Sequence, residues 1–237
     1  MPASDSPRLT IIVPMLDEIE RLPALLTELR DQQPDVHVVV VDGGSSDGSR
    51  QFARAFCQSH ARRFRLVCSG PGRARQMNRG AALVRTGWIL FLHADTHLPR
   101  DALRLLASAW ESGCRWGRFD VSFDPPHRAL RVVAWFMNTR SHLTGIATGD
   151  QAIFVRADMF AVAGGYPPIP LMEDIALSRT LRARARPCRV RTPVTTSARR
   201  WQQHGLVRTI VTMWGLRFAY WWGVAPERLV SRYHRVR

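Results

Sequence analysis

Apolar residues along the first hundred positions follow two alternating rhythms. Residues 10–16 (TIIVPML) form a short β-branched run, and leucines then recur at helical spacing between 19 and 32 (Leu22, Leu25, Leu26, Leu29). Residues 36–41 (VHVVVV) read as a second strand, too apolar to have one wet face. Such runs belong to parallel sheets covered on both sides. The alternation goes on to predict a helix over 47–60, a strand over 64–69, a helix over 73–85, a strand over 88–94 and a helix over 99–111. Four βα units in a row predict an α/β fold, a doubly wound, mainly parallel sheet flanked by helices. After Trp116 the rhythm changes. Strands at 118–123 and 152–155 bracket a helix over 127–142, and a Gly/Pro-rich loop at 164–170 leads into a helix over 173–184. With no repeat and no linker, the reading is one domain over 1–203 followed by a helical extension over 204–237.

Composition narrows the class. At 46% hydrophobic and 22% charged residues, the chain is neither disordered nor fibrous. No basic segment precedes the apolar stretch at 9–16, which Pro14 interrupts, so no secretory signal and a cytoplasmic location are expected. The four cysteines, Cys57, Cys68, Cys114 and Cys188, form no CxxC pair or zinc spacing, which predicts reduced, buried thiols and no metal held through sulfur.

Charge is unevenly distributed. All 34 cationic side chains are arginine, and the net charge is +15. The first 178 residues hold 20 arginines against 18 acids; the last 59 hold 14 against Glu227. The excess is therefore C-terminal. Arg179, Arg182 and Arg186 fall on one helical face, read as solvated, before Pro187 ends the helix. Residues 206–225 are apolar and aromatic but interrupted by Arg208, Gly215 and Arg217, short of the ~20 uninterrupted apolar residues of a membrane span. Arg208 and Arg217 lie about 180° apart on a helical wheel, so they share no polar face. Three readings stand for this segment: a helix packed on the domain, a homodimer contact, or an interfacial helix with Trp214, Trp221 and Trp222 at lipid headgroups. Arg228, Arg232, Arg235 and Arg237 would add attraction to anionic lipid at the inner face of the membrane.

In open α/β sheets the ligand crevice lies beyond the carboxyl ends of the strands. Three acidic loops converge there: Asp17-Glu18, the run from Asp42 to Asp47, and His93-Ala94-Asp95. Asp47, with Ser45 and Ser46, also reads as a helix cap, and Gly43-Gly44 as residues that permit the turn. Asp42 and Asp95 each end an apolar strand with no local helix to cap. His93 and Asp95, two apart on a strand, would point together at a ligand or metal; a satisfied strand-end histidine is the alternative for His93. Gly149-Asp150-Gln151 is either an acceptor-pocket lining or an ordinary turn. On their residue types alone, Glu173 and Asp174 are first-turn acids favoured by the helix dipole.

Taken together, VPMLDE at 13–18, VVDGGSSDGS at 40–49, GRARQMNRGA at 72–81, LFLHADT at 90–96, TGDQAIFVR at 148–156 and GGYPPIPLMEDIALSRTL at 164–181 resemble the family 2 inverting glycosyltransferases of the GT-A fold. The motifs keep the family's order over roughly 9–181. The HAD, GDQAIFVR and MEDIALSRTL segments are most similar to a bacterial subgroup associated with arsenosugar biosynthesis.

The resemblance implies roles. Pro14, Asp17 and Glu18 would line the base and ribose pocket, and Asp42 would bind base or ribose, although Asp42-Gly43 stands where many relatives have two aspartates. Arg75 and Asn78 match nucleotide-facing positions. Ala94 and Asp95 would meet the donor, with Asp95, and His93 in place of the first DxD aspartate, at a Mn²⁺ or Mg²⁺ ion that offsets charge on the departing diphosphate. Asp174, in the Glu173-Asp174 pair, would be the general base for an acceptor hydroxyl too weakly acidic to attack unaided. Gly149, Asp150 and Gln151 would line the acceptor pocket, and Arg200 and Trp201 would close over the diphosphate or acceptor. The expected partners are a nucleotide-sugar donor, a UDP-sugar first, and a small-molecule or lipid-linked acceptor.

Two other classes are weighed. A nucleotidyltransferase acting on a sugar phosphate lacks support, since no glycine-rich, lysine-containing loop follows the first strand. A nucleic-acid-binding protein using the arginine-rich tail is disfavoured, because the acids at the sheet edge would repel a phosphate backbone.

Overall fold

The computed structural model describes residues 9–84, 87–199 and 205–234. The first half runs β1 (Leu9–Met15), α1 (Leu22–Gln32), β2 (His37–Asp42), α2 (Ser49–Ser59), β3 (Phe64–Cys68), α3 (Arg73–Ala81), β4 (Trp88–Phe91), β5 (Thr96–His97) and α4 (Ala102–Glu111). The second half has β6 (Trp116–Asp124), α5 (Arg128–Thr144), a 3₁₀ turn at Gly149–Gln151, β7 (Phe154–Arg156), α6 (Ala157–Val162), α7 (Glu173–Arg182), β8 (Cys188–Ser197), α8 (Leu206–Trp221) and α9 (Pro226–His234).

Eight strands form one sheet in the order β3-β2-β1-β4-β7-β6-β8-β5. The first four in that order pair in parallel, β7 is antiparallel to both β4 and β6, β6 and β8 are parallel, and β5 is an antiparallel edge. This is the expected mainly parallel α/β sheet. Its apolar strands feed two cores because alternate residues face opposite sides. Ile11, Val13, Val38 and Leu90 pack with the leucines of α1, whereas Ile12, Val39, Val41 and Phe91 pack with Met77 of α3 and with Phe160 and Tyr166.

The longest departure from the expected elements is β8. No strand is expected after the helix over 173–184, yet 188–197 pairs along β6. The register slips between Phe119 and Asp120, where the partner moves from Val190 to Pro193. A bulge of this kind tolerates a residue with no N–H to give to the ladder. Arg189 of β8 is held by Asp120 of β6 at 2.8 and 2.9 Å, and Arg118 pairs with the same carboxylate. Part of the C-terminal arginine excess thus serves internal pairing.

Cys114 and Cys188 are joined by a disulfide, which corrects the expectation of four reduced thiols. Cys188 lies opposite Gly117 in the β6–β8 ladder, and the chain just before β6 carries Cys114 to it. A separation of 74 residues leaves no local sign of the pairing. Cys57 is buried and Cys68 exposed.

The C-terminal helices pack on the domain. Leu216 of α8 and Leu229 and Tyr233 of α9 form a core with Leu171, Met172 and Ile175 at the start of α7. Of the three readings for 206–225, helix packing is realised, although Val207, Val211, Trp214, Phe218 and Trp221 remain exposed. Among the described residues, no helix is long and apolar enough to cross a membrane.

Candidate active site

Two small cavities meet beyond the carboxyl ends of β1 and β4. The first, about 80 Å³, is lined by Pro14, Glu18, Arg73, Gln76, His93, Ala94 and Asp95 among others. The second, about 50 Å³, takes in Arg73, His93, Gly149, Asp150, Glu173 and Asp174. His93 stands between them, buried, with Nδ1 3.4 Å from an Asp150 carboxylate oxygen. A Cβ on residue 149 would lie 2.5 Å from the His93 ring, so glycine is required for this close approach. Nine of the expected site residues thus meet in one cleft: Pro14, Glu18, His93, Ala94, Asp95, Gly149, Asp150, Glu173 and Asp174.

Asp174 is fixed by two backbone donors. The Gly149 N–H gives to Oδ2 at 2.8 Å and the Ile175 N–H to Oδ1 at 2.7 Å. The first ties the turn at 149–151 to the start of α7. Its neighbour Glu173 is buried, and burial first, then repulsion from Asp174, pushes its carboxyl up to about 7, with Arg73 pulling the other way. The Tyr166 hydroxyl is raised well above its usual value by burial and then by Asp174 and Glu173.

The raised Glu173 value has a consequence for stability. An acid whose folded pKa of about 7 exceeds its ordinary 4.5 favours the fold in its protonated form, so stability is lost as pH rises from 4.5 to 7. Glu173→Gln removes that loss. Relative to wild type, the nucleotide-free variant should gain on the order of 2–3 kcal/mol between pH 4.5 and 8. Urea unfolding at both pH values checks this, and a pH-independent difference would show that Glu173 is not held protonated.

Several expected contacts lie elsewhere for clear physical reasons. Asp42 is fully buried; its carboxylate takes the Ser45 N–H and the Arg50 Nε–H, which keep it below the usual carboxylate range despite burial. Asp17 is exposed and accepts from the Ser46 N–H, tying the β1 and β2 loops together. Asp47 takes the Ser49 N–H at the start of α2, a cap-like bond, and also the Ile19 N–H. The Asn78 amide is occupied by the backbone N–H and C=O of Tyr166. Arg75 is exposed and leans over Gly70. Gln151 is buried, completes a capping box with Thr148, and accepts from Ser141. Arg200 and Trp201 lie outside the described residues.

Two further residues, Arg73 and Gln76, belong to the cleft. Arg73, the first residue of α3, lines both cavities. Burial alone would lower its pKa, but Tyr233 and then Glu173, Asp150 and Asp95 raise it on balance. Its place directly after Gly72, at a helix N-terminus, was the available cue. Gln76 gives its amide hydrogens to the carbonyls of Met15 and Val41, closing the β1 and β2 loops together, and leaves no room for a Cβ at Gly43.

A third, larger cavity of about 510 Å³ opens beside the cleft between α5 and α8. It shares Asp150, Met213 and Arg217 with the 50 Å³ cavity. Arg140 and Arg217 both line it. Burial first, and the charge of Arg217 next, push Arg140 down to about 9, and burial lowers Arg217 as well.

Among the described residues, no cluster of three or more His, Cys, Asp or Glu is arranged to hold a metal ion. Asp95 contributes one half-buried carboxylate at the cleft, with its backbone fixed through the Ser197 N–H. The His93 ring is packed against Gly149 and turned to Asp150. One carboxylate suits an ion that takes its remaining ligands from a diphosphate and water.

An eight-stranded, mainly parallel sheet with an acidic cleft at the strand ends and one antiparallel strand at its centre is the GT-A type of α/β fold. A mannosyltransferase from Pyrobaculum calidifontis, solved with GDP-Man and Mn²⁺, shares it at a TM-score of 0.64 and 20% identity, covering 98% of this chain and 70% of that one. The chain belongs to glycosyl transferase family 2, whose profile matches residues 10–163. It is 36% identical over 106 residues to a PGL/p-HBAD biosynthesis glycosyltransferase of Mycobacterium bovis (44% of this chain, 41% of that protein). It is 32% identical over 174 residues to the succinoglycan biosynthesis protein ExoA of Rhizobium meliloti (66% and 52%). The chain therefore matches about half or less of the length of these relatives.

Proposed function

We propose that the protein transfers a sugar, with inversion, from a nucleoside-diphosphate sugar to an acceptor hydroxyl. The observation that carries this reading is the placing of charge in the cleft. Asp95 lines the cavity of Pro14 and Glu18, where a nucleotide diphosphate would sit, Asp174 lines the neighbouring cavity, which shares Asp150, Met213 and Arg217 with the larger one, and Arg73 lines both small cavities. Arg73 offers a guanidinium fork to diphosphate oxygens. Asp174 takes the proton of the acceptor hydroxyl as its oxygen bonds to the anomeric carbon, and the bond from that carbon to the diphosphate breaks on the opposite face. Asp95, with His93 beside it, would hold Mn²⁺ or Mg²⁺, which offsets charge on the diphosphate when bound.

The donor placed first is a UDP-sugar; a GDP-sugar is second, supported by the Pyrobaculum calidifontis neighbour that holds GDP-Man. Membership of the arsenosugar-associated subgroup rests on the HAD, GDQAIFVR and MEDIALSRTL segments. The 1–203 and 204–237 division is kept as a division of sequence, although Arg217, Met213 and Tyr233 of the second part line the cleft of the first.

A thermal-shift screen of nucleoside diphosphates and nucleotide-sugars, with and without Mn²⁺, tests the reading. Stabilisation by UDP or GDP that requires Mn²⁺ is the expected result. In Asp95→Ala the metal-dependent part of the shift disappears. No nucleotide response under any condition would overturn the reading.

A further inference from the structure

The cavity between α5 and α8 has an apolar wall and a charged end. Val133, Phe136 and Met137 of α5 face Ile210, Met213 and Trp214 of α8. At the end shared with the catalytic cleft stand Arg217 and Asp150, and Arg140, which also lines the cavity, feels the charges of both and of Asp174. The Nε atoms of Arg140 and Arg217 are buried and have no hydrogen-bond partner among the described residues. Buried polar groups are almost always paired, so two orphan donors of like charge at one cavity end call for a ligand. Asp174 and Asp150 supply part of the countercharge for both arginines. Asp174 is already engaged by the Gly149 and Ile175 N–H groups, and Asp150 lies against His93. A guanidinium pair in low dielectric without its own anion is costly, and a phosphate accepting from both would remove that cost.

The opposite end leads to an apolar surface. Val132, Phe136 and Trp214 line the cavity and are 54%, 54% and 60% exposed, and Phe218 and Trp221 continue the same character along α8. Exposed apolar side chains in this number around a cavity mouth mark a binding surface.

We infer that the acceptor is a lipid with a phosphate group beside the reacting hydroxyl: its chain fills the α5–α8 cavity, its phosphate sits on Arg140 and Arg217, and its hydroxyl reaches Asp174. The inference rests on the transferase reading and adds the acceptor class to it. The hydroxyl oxygen bonds to the anomeric carbon, its proton passes to Asp174, and the nucleoside diphosphate leaves with the electrons of the broken bond. The phosphate of the lipid takes no part in the bond changes. Arg140 and Arg217 are binding residues, and the apolar face around Trp214 delivers the chain from a membrane surface.

The test is calorimetric titration of the full chain with dodecyl phosphate below its micelle-forming concentration, beside dodecanol and inorganic phosphate. Dodecyl phosphate should bind saturably and at least tenfold more tightly than either control. Arg140→Gln and Arg217→Gln should each weaken it about tenfold, and Val133→Trp, which fills the cavity, should abolish it. Arg140→Gln and Val133→Trp, at residues that line the large cavity and neither small one, should keep the response to nucleoside diphosphate and Mn²⁺ seen for wild type. Equal affinity for dodecanol and dodecyl phosphate, or binding unaffected by loss of either arginine, would overturn the inference while leaving the transferase reading intact. If amphiphile affinity fell with rising protein concentration, the face would be covered by a second copy and the lipid assignment would fail. Amphiphile binding without any nucleotide response would overturn the acceptor role.

Discussion

Asp174→Asn should lower sugar transfer about 10³-fold while leaving binding of the donor nucleotide near that of wild type. The magnitude follows from the 10²–10⁴-fold contribution typical of a positioned general base. The side chains are nearly equal in size, so the loss comes from proton affinity rather than from packing. Asparagine keeps one oxygen to accept the Gly149 N–H but turns an N–H₂ toward the second donor, that of Ile175. A stability cost of about 1 kcal/mol is therefore expected beside the kinetic one. Glu173 supplies the comparison. Its opposing cation is Arg73, which lines both small cavities, whereas Asp174 bears on Arg140 and Arg217, on the side of the large cavity. Glu173→Gln should accordingly cost less turnover than Asp174→Asn. Single-turnover transfer rates, with donor affinity measured separately, distinguish the two. Near-normal turnover in Asp174→Asn would move the base to another residue, Glu173 first.

The sheet was legible because local and long-range demands agree in it. Val38–Val41 are buried on both faces, and only a covered parallel strand makes such a run favourable. The failures came where pairing was decided at a distance. Residues 188–197 carry no strand signal of their own until β6 lies beside them, and Pro193 sits where the register shifts at Phe119–Asp120. The disulfide has the same origin, since the register of β6 on β8 brings together cysteines 74 residues apart.

The cleft was readable to a different extent. Acids at strand ends and in the first turn of α7 could be located from alternation and spacing. Which polar groups would be consumed by the fold could not. Asp42, Asn78 and Gln151 are chemically suited to a ligand, but each meets a backbone or side-chain group brought in by another loop. Arginine carried the weakest signal, because a chain with 34 arginines and no lysine gives no means of telling a structural cation from a binding one. Geometry separates them: Arg118 and Arg189 satisfy Asp120, whereas Arg73, Arg140 and Arg217 line cavities.

Arg73→Met should weaken nucleoside diphosphate binding about 10–100-fold, the range expected for losing hydrogen bonds from a charged donor to a charged acceptor. Arg73 is the cation that lines both small cavities, so methionine leaves the diphosphate facing Asp95, Asp150 and Glu173 with their repulsion uncompensated. The same substitution acts on Glu173. Arg73 holds that carboxyl down against burial and Asp174, so its removal raises Glu173 above 7. The pH range over which the fold loses stability then extends from 4.5 to beyond 7, and the variant should be less stable than wild type chiefly at alkaline pH. Arg73→Lys keeps the charge without the planar fork; it should restore the stability profile more fully than the diphosphate affinity. Titration with UDP and GDP in Mn²⁺, together with unfolding at pH 5 and 9, separates the two roles. Diphosphate affinity unchanged in Arg73→Met, with stability reduced only at high pH, would make Arg73 a counter-ion to the acidic cluster and leave the donor site without its principal cation.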